Sequence, residues 1–145
     1  MTGVRSFLDK NVLYLAWAQA FVAVFGSLYY SEIAGFLPCI LCWYQRILMY
    51  PILVILTVGI LRKDKTNLPF YVLPLSFAGI GVSLYQTLLQ IGLIPEEAAP
   101  CVLGVSCATK YINYLGFITI PLLSLTAFVI ISLCLLYYRR LNHEK

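Results

Sequence analysis

The segment PCILCWYQRILMYPILVILTVGIL, residues 38–61, decides the fold. From Ile40 to Leu61 it carries a single charge, Arg46. A helix crosses the hydrocarbon of a bilayer with about 20 apolar residues, each adding about 1.5 Å. This stretch reaches that length, and three others do as well: Val12–Tyr30, Leu68–Ile94 and Tyr111–Tyr138. Gln19 is the main polar interruption of the first, and the last two carry no charge. Hydrocarbon offers no partner to an unpaired backbone group, so each stretch reads as a helix. Pro51, Pro69, Pro74 and Pro121 are tolerable there, with a kink expected at Pro51.

Composition agrees. The chain of 145 residues is 61% hydrophobic and 11% charged, with a mean hydropathy of +0.88. Ordinary soluble domains are about 25% charged. So much apolar surface cannot be hidden in a water-soluble fold of this size. The expectation is an all-α integral membrane four-helix bundle, forming one domain over residues 1–145. Its helices are expected at about 12–30, 40–61, 68–91 and 114–138. The first apolar run is longer than the 7–15 residues or so of a signal-peptide core, and no small-residue cleavage site follows. It reads as an uncleaved helix. Gln19, Ala23, Gly26 and Ser27 read as a packing face on it.

The net charge of +4 is not a nucleic-acid signal, because the basic residues cluster between apolar runs. Arg5 and Lys10 precede the first helix. Arg62, Lys63 and Lys65 separate the second and third, and Arg139, Arg140 and Lys145 follow the fourth. These eight share one side of an even-numbered topology. The other side holds Lys110, with Glu32, Glu96 and Glu97. Basic loops stay in the cytoplasm, so both termini are expected there. The outer loops then fall at about 31–38 and 92–110.

Four of the five cysteines map to the outer side. Cys39 and Cys42 form a Cys-x-x-Cys at the start of the second helix, and Cys101 and Cys107 lie in the second outer loop. Disulfides persist outside the cytoplasm. Three readings follow: a redox pair with a second pair, two structural staples, or a four-thiolate metal site. A staple at 101–107 closes so short a loop that it adds only about 2–2.5 kcal/mol. Helix-start amides and the helix dipole favour a thiolate at Cys39 or Cys42. Arg46 stands on the same face, since spacings of three and four residues return to one side of a helix. A charge inside a membrane span is costly and points to function. Arg46 reads either as a side chain that snorkels to the interface or as the group that stabilises the Cys42 thiolate and polarises a bound electron acceptor. To reoxidise a thiol partner near about −120 mV, that acceptor must be more oxidising still. A lipid-soluble quinone reaches such a site from the bilayer. Gln86 and Gln90, near the outer end of the third helix, read either as lining for it or as interhelical hydrogen bonders. Cys134 reads as a small buried hydrophobe and His143 as part of a polar tail.

The run Phe-Leu-Pro-Cys39-Ile-Leu-Cys42-Trp-Tyr-Gln-Arg46 resembles the signature of the DsbB family of disulfide-bond-forming membrane proteins, in its short BdbC-like form. The likeness covers nearly the whole chain, including Cys107, Tyr111, Gly116, Pro121, Leu123 and Ser124. In the related vitamin K epoxide reductase family the loop cysteines precede the Cys-x-x-Cys; here they follow it. The resemblance implies a quinone-dependent oxidoreductase of the bacterial cell membrane, with its active site on the extracytoplasmic face. It implies that a DsbA/BdbD-like thiol oxidase attacks Cys101, that Cys107 exchanges with Cys39, and that Cys42 and Arg46 face menaquinone or ubiquinone. Two departures stand out. The second outer loop is shorter than in Gram-negative members, and Gln86 occupies the region where some members carry a histidine.

Overall fold

A computed structural model describes residues 2–35, 38–63, 67–95 and 120–143. All regular structure among them is helical. Helix α1 spans Thr2–Leu28 and passes into a π-helical turn, Tyr29–Ile33. Helices α2 (Ile40–Arg62), α3 (Leu68–Ile91) and α4 (Ile120–His143) follow. Each is long and apolar enough to cross a membrane, over Asn11–Ile33, Ile40–Arg62, Leu68–Ile91 and Ile120–Leu141. Residues 114–119, expected in the fourth helix, lie outside the described residues.

Two helices outrun their apolar stretches. Arg5 and Lys10 lie on the helical backbone of α1 rather than before it. Arg139, Arg140 and His143 lie on α4, so His143 belongs to a helix end and not to an irregular tail. Hydropathy marks where hydrocarbon ends, whereas backbone hydrogen bonds continue a helix through it into water. Helix α2 runs through Pro51 without a break in its assignment. It stops at Lys63, whose left-handed φ of 57° turns the chain, and α3 stops at Gly92, φ 82°, where glycine adopts that conformation without strain. Pro69 sits in the first turn of α3, where a missing N–H costs nothing.

The helices pack in a ring: α1 on α2, α2 on α3, α3 on α4, and α4 back on α1. Alternating steps of four and three residues set the contact rows. In α2 the buried row is 45, 49, 52, 56 and 59; in α3 it is 72, 76, 79, 83 and 86. Such rows bring two helices together along nearly parallel axes. Ala16, Ala20, Ile52, Leu56, Val72, Phe128, Ile131 and Leu135 form the fully buried centre. The opposite faces stay uncovered: Leu61 is 76% exposed and Phe70 77%. Only lipid suits so apolar an exterior.

Small residues allow close approach where lipid gives no hydrophobic drive to associate. A Cβ at Gly59 would run into Leu68, and one at Gly79 would overlap the Phe128 ring. Hydroxyls add directed links. The Trp17 indole N–H donates to Thr57 Oγ1 at 2.8 Å, and Ser83 Oγ meets Ser124 Oγ at 3.3 Å. Replacing Gly79 by alanine forces the buried ring aside, which is expected to destabilise the bundle by about 1–3 kcal/mol. Gly81, beside open space, should accept alanine without loss. Thermal unfolding of the two variants in detergent tests the contrast.

Candidate redox site

The end of the bundle where α2 begins gathers polar side chains from three helices. Cys39 caps α2: its extended backbone (φ −71°, ψ 168°) turns the sulfur back to accept the Cys42 N–H at 3.4 Å. That is the role a serine or asparagine fills at other helix starts. The two sulfurs stand 3.0 Å apart. Cys39 is buried and Cys42 half-buried. The hydrogen bond to the Cys42 sulfur, with burial, raises Cys39 above an ordinary thiol, so Cys39 keeps its proton and can donate it to its neighbour.

Gln86 comes from α3. Its Nε2 donates to Cys39 Sγ at 3.2 Å and to Cys42 Sγ at 3.3 Å. Its Oε1 accepts from Gln45 Nε2 at 2.7 Å. Gln86 and Gln45 are both buried, at core positions of the α3 and α2 contact rows, with Leu89 and Leu41 one step further toward the same end. The seam thus carries one polar layer beneath an apolar cap of Leu41 and Leu89, and the helix register makes the two amides meet.

Arg46 reaches the other way. Its Nε donates to Ser27 Oγ and its Nη2 to the Ser27 carbonyl, both at 2.8 Å, and its guanidinium lies 5.6 Å from the Trp43 ring centroid. The cation is only 8% exposed, and both hydrogen-bond partners are neutral. Just beyond Ser27 the helix widens into the π-helical turn, where the Ala34 N–H reaches back to the Tyr29 carbonyl at 3.1 Å. Such widened turns recur at functional sites.

A cavity of about 400 Å³ lies against this cluster. Cys39, Cys42, Arg46 and Gln86 line it together with α1 and the start of α4. Four of the six expected site residues thus share one space, while Cys101 and Cys107 lie outside the described residues. One expectation is corrected. Gln19, Ala23, Gly26 and Ser27 line the cavity rather than serving only as a packing face, and nothing stands within 4 Å of where a Cβ on Gly26 would be. Cys134 sits apart, packed against the apolar core. Gln86 fills both sequence readings at once, as an interhelical hydrogen bonder and as cavity lining. Sequence reasoning missed Gln45. Its signal was present: it stands four residues before Met49 in the α2 contact row, so it is a polar residue at a core position.

With this geometry in view, comparison with known proteins is decisive. The family described as disulfide bond formation protein DsbB matches residues 9–138. The chain belongs to the DsbB family. Disulfide bond formation protein C of Bacillus subtilis (strain 168) is 49% identical over 126 residues, covering 86% of this chain and 91% of that protein. A probable disulfide formation protein C of Halalkalibacterium halodurans is 46% identical over 125 residues, covering 86% and 90%. The SPbeta prophage-derived disulfide bond formation protein B of Bacillus subtilis is 43% identical over 123 residues, covering 84% and 81%. No solved structure matches the chain significantly. This DsbB-family chain is therefore a multi-pass membrane protein with an oxidoreductase role in forming disulfides on a thiol partner.

The two Arg46 contacts can be ranked. Ser27→Ala removes one donor–acceptor pair and leaves the carbonyl contact; Arg46→Lys removes the planar fork that makes both. Thermal stability in detergent should fall in the order wild type, Ser27→Ala, Arg46→Lys. The first step is expected to be about 1 kcal/mol.

Proposed function

We propose that this protein reoxidises an extracytoplasmic DsbA/BdbD-like thiol oxidase and delivers the electrons to a membrane quinone. One observation carries the reading: a cysteine pair in sulfur–sulfur contact borders a cavity at the outer end of the bundle, alongside a buried guanidinium.

The cavity suits a quinone ring. Its volume falls within the range of about 300–1,000 Å³ usual for small-molecule sites. Apolar side chains such as Val22, Val24, Met49 and Leu123 supply much of the wall. Arg46 and Gln86 supply N–H groups, which quinone oxygens accept. A bound quinone supplies a two-electron, two-proton acceptor. The chain's residues do the rest. Cys42, one helical turn before Arg46, takes part in the pair as the thiolate. Arg46 keeps positive charge beside the acceptor, in a medium where charge acts over longer range than in water. Cys39 holds the proton of the pair and is the sulfur that the loop cysteines reach.

In balance, the partner's dithiol becomes a disulfide through a mixed disulfide with Cys101, and Cys107 passes the electron pair to the Cys39–Cys42 disulfide. Oxidation of the resulting dithiol releases two electrons and two protons to the quinone. The Lys/Arg distribution puts this end of the bundle outside the cytoplasm, where newly exported proteins need disulfides.

Purified protein supplied with a reduced partner and quinone should turn over, and Cys42→Ser and Arg46→His should each lose quinone reduction while still inserting. If the wild-type protein never reduces quinone, the proposal is wrong. Gly26→Leu offers a subtler check. It projects into the open cavity, so the fold should persist while the KM for quinone rises about tenfold or more, as expected when a pocket is partly filled. A partner lacking its resolving cysteine should be trapped covalently on Cys101.

A further inference from the structure

We propose that Gln45 is a positioning residue: its side-chain N–H pins the Gln86 amide with the NH₂ end toward the sulfurs of Cys39 and Cys42, making an uncharged thiolate-binding device. The proposal rests on the thiol chemistry assigned above and extends it to a residue with no direct contact to either sulfur.

The argument begins with the shape of an amide. Rotating the end of a glutamine by half a turn exchanges an acceptor oxygen for a donor NH₂ in almost the same volume. Packing alone therefore cannot choose which end of Gln86 faces the cysteines. A thiolate only accepts hydrogen bonds, so the two ends differ greatly in consequence. With NH₂ inward, Gln86 donates to both sulfurs, at 3.2 and 3.3 Å. With oxygen inward, its lone pairs would oppose the sulfur charge.

What lies at the far end of the amide makes the choice. Gln45 Nε2 stands 2.7 Å from Gln86 Oε1, and while Gln45 presents this donor it is satisfied only if that oxygen points away from the sulfurs. Both residues are buried, Gln45 at 6% exposure and Gln86 at 2%, so a lost partner is costly on either side of the pair. In this medium each amide also polarises the next, which strengthens the pair. The cation is engaged elsewhere, since Arg46 donates to Ser27 and not to Gln86. A neutral donor chain thus touches the sulfurs, and the charge acts from a distance.

The test uses the reduced full-length protein in detergent, with alkylation by iodoacetamide followed at each cysteine by mass spectrometry across a range of pH. Gln86→Met, close in shape but without donors, is expected to slow Cys42 alkylation near neutral pH by about tenfold or more, because it deletes hydrogen bonds to a charged acceptor. Gln45→Met should slow Cys42 several-fold and move its pH profile the same way. In the Gln86→Met background, Gln45→Met should add nothing, since it acts only through Gln86. An unchanged Cys42 profile in Gln45→Met, or an undiminished effect in the double variant, overturns the proposal. Cys134, remote in the core, reports packing. A faster Cys134 rate in Gln45→Met would mark loose packing instead of lost orientation and would also overturn it. Alkylation needs neither quinone nor partner. Absence of quinone reduction in the same samples counts against the reaction assigned above, while the alkylation profiles alone decide the role of Gln45.

Discussion

Hydrocarbon is a poor solvent for polar groups, and a side chain that enters it must bring or find its partner. That constraint organises the half of the bundle where α2 begins and α3 ends. The polar residues buried there do not spread over the helices. They meet at one end, where Gln45 joins Gln86, Gln86 joins the two cysteine sulfurs, and Arg46 joins Ser27. Toward the other end the same contact rows are filled by aliphatic side chains, glycine and small hydroxyls. Among the described residues the hydroxyls of Ser76 and Ser132 are buried without a hydrogen-bond partner.

The arrangement separates tasks that a sequence places side by side. Cys39, Cys42 and Arg46 follow one another on a single helix face, and a direct thiolate–guanidinium contact is the obvious expectation. The tertiary structure instead sends the guanidinium to α1 and brings an amide from α3 to the sulfurs. A fixed charge in low dielectric influences a sulfur without touching it. A neutral donor at contact distance adds directional stabilisation without a second desolvated ion, whose burial would itself be expensive. The cation is thereby held at the cavity wall by two bonds of 2.8 Å, close to where the first helix widens.

The cavity has a related origin. Small residues on α1 offer the geometry of a tight helix crossing, yet beside Gly26 no neighbour fills the space. Ala20 of α1 and Phe128 of α4 belong to the same buried core, and further along the two helices both line the cavity. The result is an apolar chamber with polar groups on the wall that also carries the cysteine pair.

The four spans and the cysteine pair with its arginine were legible in the chain, because each depends on local composition and on the 3.6-residue helical period. Residues 38–61 alone contain a span, a reactive pair and a buried charge. The ends of α1 and α4 were misjudged, since hydropathy senses the lipid boundary and backbone hydrogen bonding does not. The meeting of Gln45 with Gln86, 41 positions apart, and the grip of Ser27 on Arg46, 19 apart, were decided only by the packing of helices in a ring. Interhelical register sets which side chains face one another, and no single helix carries that information.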